Sequence, residues 1–288
     1  MQSRNPVLSK APAFQPSPYA PAYDQPGTGP LVLDQPYGSQ PYAPPQPYAT
    51  TGTMTLDDVL TKTAVTLGLL IVAAAVSFWG LQRLTVDPAS PFSMPNLGVP
   101  FAVMTVSGLV AFGAVFLVSF RRAVNPAFVL AYAVIEGVFI GALSLIFELY
   151  YPGIVLPAAF GTFVAAGVTL AAYKLLRIRV SSKFRRMVAI GTMALAGVYL
   201  VNFILSLFGV RLGIVTVTGA VGPLALLMSA IGVGLAVFNL ILDFDYIEQG
   251  VRAGAPASES WRAAFGLAVT MVWLYTELLR ILSYFSRD

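Results

Sequence analysis

Seven apolar stretches of about 20 residues each occupy most of the chain beyond residue 55, and each is long enough to cross a bilayer as a helix. They run Leu60–Leu81, Val99–Phe120, Pro126–Phe147, Ile154–Leu175, Met187–Phe208, Pro223–Asp243 and Ala263–Phe285. Some starts are marked. Thr55 precedes Asp57 and Asp58, so a hydroxyl can cap the first helix and two acids sit where its dipole favours them. Asn125 followed by Pro126 marks the third start. The pattern predicts an all-α polytopic membrane protein, a seven-transmembrane-helix bundle over residues 55–288.

The polar spacers orient the bundle. Arg121 and Arg122 separate the second and third stretches. Lys174, Arg177, Arg179, Lys183, Arg185 and Arg186 lie between the fourth and fifth, and Arg252 and Arg262 between the sixth and seventh. The alternate spacers hold Arg83 and Arg211, with Arg287 at the far end. Basic loops face the cytoplasm. The expectation is a multi-pass protein of the cell (plasma) membrane with a cytoplasmic N-terminus and the C-terminus outside.

Residues 1–54 are different. Twelve of the 21 prolines fall before residue 54, and Gln-Pro-Tyr recurs at Gln35, Gln40 and Gln46. Such a composition buries too little apolar surface to offset chain entropy, so a disordered Pro/Tyr-rich tail is expected. Its polyproline-II character suits a protein partner, although a solvated tail is the simpler expectation. No secretory-signal pattern opens the chain.

Composition narrows the chemistry. Charged residues make up 10% of the chain and mean hydropathy is +0.76, far from a soluble domain's roughly 25% charged residues. The net charge of +4 belongs to the membrane loops and predicts no nucleic-acid partner. With no cysteine and no histidine, thiolate, disulfide and imidazole chemistry are excluded. A response to pH near neutrality then falls to carboxylates. There is no phosphate-binding loop, dinucleotide motif or nucleophile–base pair, and the Gly-x-Gly-Asp motif of intramembrane aspartyl proteases is absent. No enzyme and no cofactor is expected.

Ionisable groups inside the apolar stretches are therefore the candidates, because the bilayer makes them expensive. They are Glu136 and Glu148 in the third, Asp243 and Asp245 closing the sixth, and Glu277 and Arg280 in the seventh, with Asn202 and Asn239 as neutral polar groups. Asn239 and Asp243 share a helical face, whereas Asp245 points about 200° away from Asp243. Thr270, Trp273, Glu277, Arg280 and Tyr284 form one stripe that should face the bundle interior. An aspartate of the sixth stretch set against Glu277 would share a proton with it, a candidate latch or cation site. Glu277 lies about 20 Å along the seventh stretch, deeper than Asp243 at the end of the sixth. Arg280, one turn beyond Glu277, can instead neutralise it locally. Gly137 and Gly141 form a GxxxG pair suited to close helix packing.

Three motifs then resemble those of the Bax inhibitor-type (transmembrane BAX inhibitor motif) membrane proteins. They are Asn125–Pro126 through Tyr132–Ala133–Val134–Ile135–Glu136–Gly137, then Leu242–Asp243–Phe244–Asp245–Tyr246–Ile247, then Trp273–Leu274–Tyr275–Thr276–Glu277. The resemblance covers residues 55–285 and implies a pH-sensitive calcium (cation) leak, gated by a protonatable carboxylate pair between the sixth and seventh helices. It places the pair on Asp243 or Asp245, with Asp243 preferred, and on Glu277. The arginine that supports closure in such proteins falls nearest to Arg121 and Arg122. Calcium or protons would be the transported partners, beside the lipid bilayer. The alternative it implies is a non-transporting membrane regulator of a protease or stress pathway.

Overall fold

Thr55 caps the first helix as its position suggests: its hydroxyl accepts the Asp58 N–H at 3.2 Å. The computed structural model describes residues 52–85, 96–120, 124–210, 212–214 and 222–286, all within one compact unit, Tyr48–Asp288. Arg121, Arg122, Arg211, Arg287 and the tail through residue 51 lie outside the described residues.

Seven helices are long and apolar enough to cross a membrane. They are α1 (Leu56–Thr85), α2 (Gly98–Ser119), α3 (Pro126–Tyr150), α4 (Val155–Leu175), α5 (Ser182–Leu207), α6 (Pro223–Arg252) and α7 (Glu259–Phe285). Asn125 caps α3 through its side-chain oxygen, 2.9 Å from the Ala127 N–H, with Pro126 in the first turn. Ser181 caps α5 by accepting from Phe184 N–H, so α5 starts five residues before the apolar pattern does. The main difference is in α6. The apolar pattern stops at Asp243, yet the helix continues to Arg252. Asp243 therefore lies about 14 Å inside the helix end.

The two interior helices are α3 and α7. Helix α7 buries positions from Ser260 to Tyr284, and α3 from Val129 to Phe147. The outer helices turn large apolar side chains outward, among them Trp79, Leu156, Leu175 and Met193. In water this would be an aggregating surface; against acyl chains it is the expected one. Helices α1 and α3 run parallel and touch backbone to backbone. A Cβ at Gly137 would lie 2.5 Å from Leu70 O, and Gly141 sits as tightly against Ala74 and Ser77. The GxxxG pair is thus the α1–α3 seam.

The membrane domain begins earlier than residue 55. Gly52–Met54 forms a strap along the α6–α7 loop: Met54 N–H donates to Ala255 O at 2.7 Å and Ala257 N–H to Gly52 O at 2.7 Å. Among the described residues this isolated Thr53–Pro256 bridge is the nearest thing to a sheet. The Met54 side chain is 2% exposed and packs with Val59, Leu240 and Ile247. These residues, counted with the tail in the sequence reading, pack against the bundle.

Candidate functional site

Three acids close the last third of α6, and each has its own partner. Asp243 faces α7, where the Thr270 hydroxyl donates to its Oδ2 at 2.7 Å. Gly266, one turn before Thr270, also lies beside the carboxylate; a Cβ there would sit 3.5 Å from Oδ1, an ordinary contact. The other side of Asp243 opens on a cleft of about 350 Å³ between α2, α6 and α7, which Ser119, Tyr246, Arg262 and Thr270 also line. Arg262 and Tyr246 are both tied to Glu259, at 2.8 Å each.

Asp245 points to the opposite side, as helical phase requires. It accepts from Arg185 on α5 at 2.8 Å and from Gln249 at 2.7 Å. Glu248 accepts from the Tyr173 hydroxyl on α4 at 2.6 Å and pairs with Arg252 one turn on. These partners explain why α6 continues through residues that the apolar pattern treats as a loop.

Glu277 has no aspartate beside it. It is fully buried. Its Oε2 accepts from Arg280 at 2.8 Å, and its Oε1 accepts from the Tyr199 hydroxyl at 2.9 Å and from Trp273 Nε1 at 3.3 Å. Arg280 also donates to the Tyr199 hydroxyl at 3.0 Å and lies over that ring, 5.1 Å from its centroid. The expected Asp243–Glu277 contact is thus not made. Helices α6 and α7 are antiparallel: Asp243 meets Thr270, and Gly232 meets Glu277. The two acids stand apart by about two turns of α7, roughly 10 Å. A buried acid needs a counter-charge, and Arg280 on the same helix supplies it.

Glu136 is buried on α3 beside the Tyr132 hydroxyl one turn earlier. The Tyr132 ring packs edge-on against Phe265 of α7. Asn239 donates to Thr192 of α5 at 2.8 Å and to Leu235 O at 2.8 Å, which ties α5 to α6. Glu148 accepts the Gly153 N–H at 2.7 Å and so closes the turn into α4. Arg121 and Arg122 lie outside the described residues. Among the described residues no three acids gather to hold a metal.

Sequence reasoning missed Tyr173, Thr192 and Tyr199, and treated Arg185 only as a loop charge. A usable signal was present: Arg185, Thr192 and Tyr199 are spaced by seven and fall on one face of α5.

The family model described as Bax inhibitor 1 like matches residues 5–287 of the chain. Among curated proteins no match is found.

Proposed function

The chain belongs to the Bax inhibitor 1 like family and is a multi-pass membrane protein, and from that premise we propose that it is a pH-sensitive cation leak. Calcium is the ion that the resemblance implies. Asp243 is its protonatable gate. The supporting observation is the placement of that carboxylate. A single hydroxyl, from Thr270, holds it to α7, and a cleft joins it to the basic end of the bundle. A group so placed exchanges protons with water, and its charge state sets how α6 seats against α7. The carboxylate pair inferred from the sequence becomes an acid–hydroxyl pair, Asp243 with Thr270. Glu277 serves separately, in the bilayer interior.

The basic end of the bundle faces the cytoplasm in this reading, and the strap lies at that end. The test is calcium flux into proteoliposomes as pH is lowered from neutral. Wild type responds to pH, and Asp243→Asn gives flux that no longer varies with pH. An unchanged pH profile in Asp243→Asn removes Asp243 as the gate, and absence of flux from wild type removes the leak.

A second reading is a regulator that acts through a partner of the tail. The strap favours it, because Gly52–Met54 connects the tail directly to the α6–α7 loop. If deletion of residues 1–51 leaves both flux and co-purifying proteins unchanged, that reading falls.

A further inference from the structure

Helix α5 is held unlike its neighbours. Its backbone comes close to α6 alone, and only Val188 and Leu195 of its 26 residues are buried. Three of its other contacts are polar and regularly spaced. Arg185 meets Asp245, Thr192 meets Asn239, and Tyr199 meets Glu277 and Arg280. A spacing of seven places the three donors on one face, about 21 Å from first to last. That is most of a hydrocarbon core of about 30 Å. Between these contacts, Leu235 fits against Gly191 and Phe184 packs edge-on against Phe238.

The α1–α3 seam offers the contrast. There, backbone atoms of α1 fill the space beside Gly137 and Gly141, and separation would open a void along both helices. In a bilayer, lipid replaces apolar contacts at little cost, so close packing and hydrogen bonds hold helices together. By that standard α1–α3 is a fixed junction. The face of α5 is held by three sets of side-chain hydrogen bonds and two apolar contacts, with no run of backbone-close packing.

The geometry points to the α5 seam as the route across the membrane, opened when α5 moves away from α6 and α7. This rests on the leak reading above and adds the path. Withdrawal of α5 bares Asp245, Asn239 and Glu277 with Arg280. These form a strip of oxygens and nitrogens along α6 and α7 that reaches from the basic end into the outer half of the bundle. The described structure is then the closed form, in which α5 covers that strip. Asp243 turns instead to Thr270 of α7, about 40° round α6 from Asn239, where it controls the α6–α7 seating.

The absence of native cysteine makes the test direct. Thr192→Cys with Asn239→Cys is joined by a short, reductively cleavable thiol linker, with joining verified by mass spectrometry, and calcium flux is measured in proteoliposomes. Before joining, flux is at least that of wild type. Joining lowers it by about tenfold and reductant restores it, as expected when a moving element is pinned. Undiminished flux through the joined protein overturns the route. Spin labels at Met193→Cys on α5 and Val72→Cys on α1 provide a measurement independent of flux. Their distances show a second population displaced by about 5 Å, a helix-scale shift. The α1–α2 pair Val72→Cys with Leu109→Cys shows one. A single narrow α5 distance under conditions of flux also overturns the proposal. If wild type shows no flux, the leak reading fails by itself, and the distances alone decide whether α5 moves.

Discussion

The Glu277 carboxylate rests directly on Gly232: a Cβ added to the glycine would lie 2.6 Å from Glu277 Cδ and 2.7 Å from Oε1. The carboxylate cannot yield, because Arg280 and Tyr199 hold its two oxygens. Gly232→Ala is therefore an overpacking change, expected to cost about 1–3 kcal/mol. It should lower the unfolding midpoint in detergent. Gly234→Ala is the matched control, since nothing lies within 4 Å of its would-be Cβ; it should leave the midpoint in place.

The Glu277–Arg280 pair should respond asymmetrically. Arg280→Met leaves a buried carboxylate with hydroxyl and indole donors alone, and breaking such a pair costs about 3–5 kcal/mol. Glu277→Leu together with Arg280→Met removes both charges and should cost less than the two single changes summed. Thermal unfolding of the two singles and the double measures this coupling.

The α1–α3 junction has no slack. Gly137→Val drives a branched side chain into Leu70 O and the Ala73 Cβ, and the helices must separate. The expected result is loss of the monodisperse peak on size exclusion. Gly113→Val on α2, whose Cβ position is open, should keep it.

The strap predicts a sharp boundary in a truncation series. Deletion of residues 1–51 should leave the unfolding midpoint unchanged, whereas Met54→Ala should lower stability by about 2–5 kcal/mol, the usual range for a fully buried methionine. An equal effect of the two would place the strap's contribution elsewhere.

The seven helices were legible because a bilayer demands long apolar runs, and that demand is written residue by residue. Asn125, Pro126 and Thr55 marked helix starts for local reasons, and local reasons can be read locally. The length of α6 could not be read this way. Asp243, Asp245 and Glu248 interrupt the apolar pattern, and only partners on α7, α5 and α4 make them acceptable within a helix. The separation of Asp243 from Asp245 followed from helical phase alone. That Asp243 does not reach Glu277 could not be read locally: it depends on the antiparallel register of α6 and α7. The local alternative, neutralisation by Arg280 three residues on, is the one the structure makes.

A contact between α1 and the α6–α7 loop bears on how the protein is made. Lys62 pairs with Asp58 one turn before it, but its other acceptor is Ala257 O, 195 residues later. At about 5–20 residues per second a ribosome needs roughly 10–40 s to reach that loop. Helix α1 thus enters the bilayer long before α7 exists, with Asp58 as the local partner that holds the lysine meanwhile. The first helix inserted is among the last to complete its contacts, so a chain that stalls before α7 should present an unfinished α1 to the membrane's quality-control proteases.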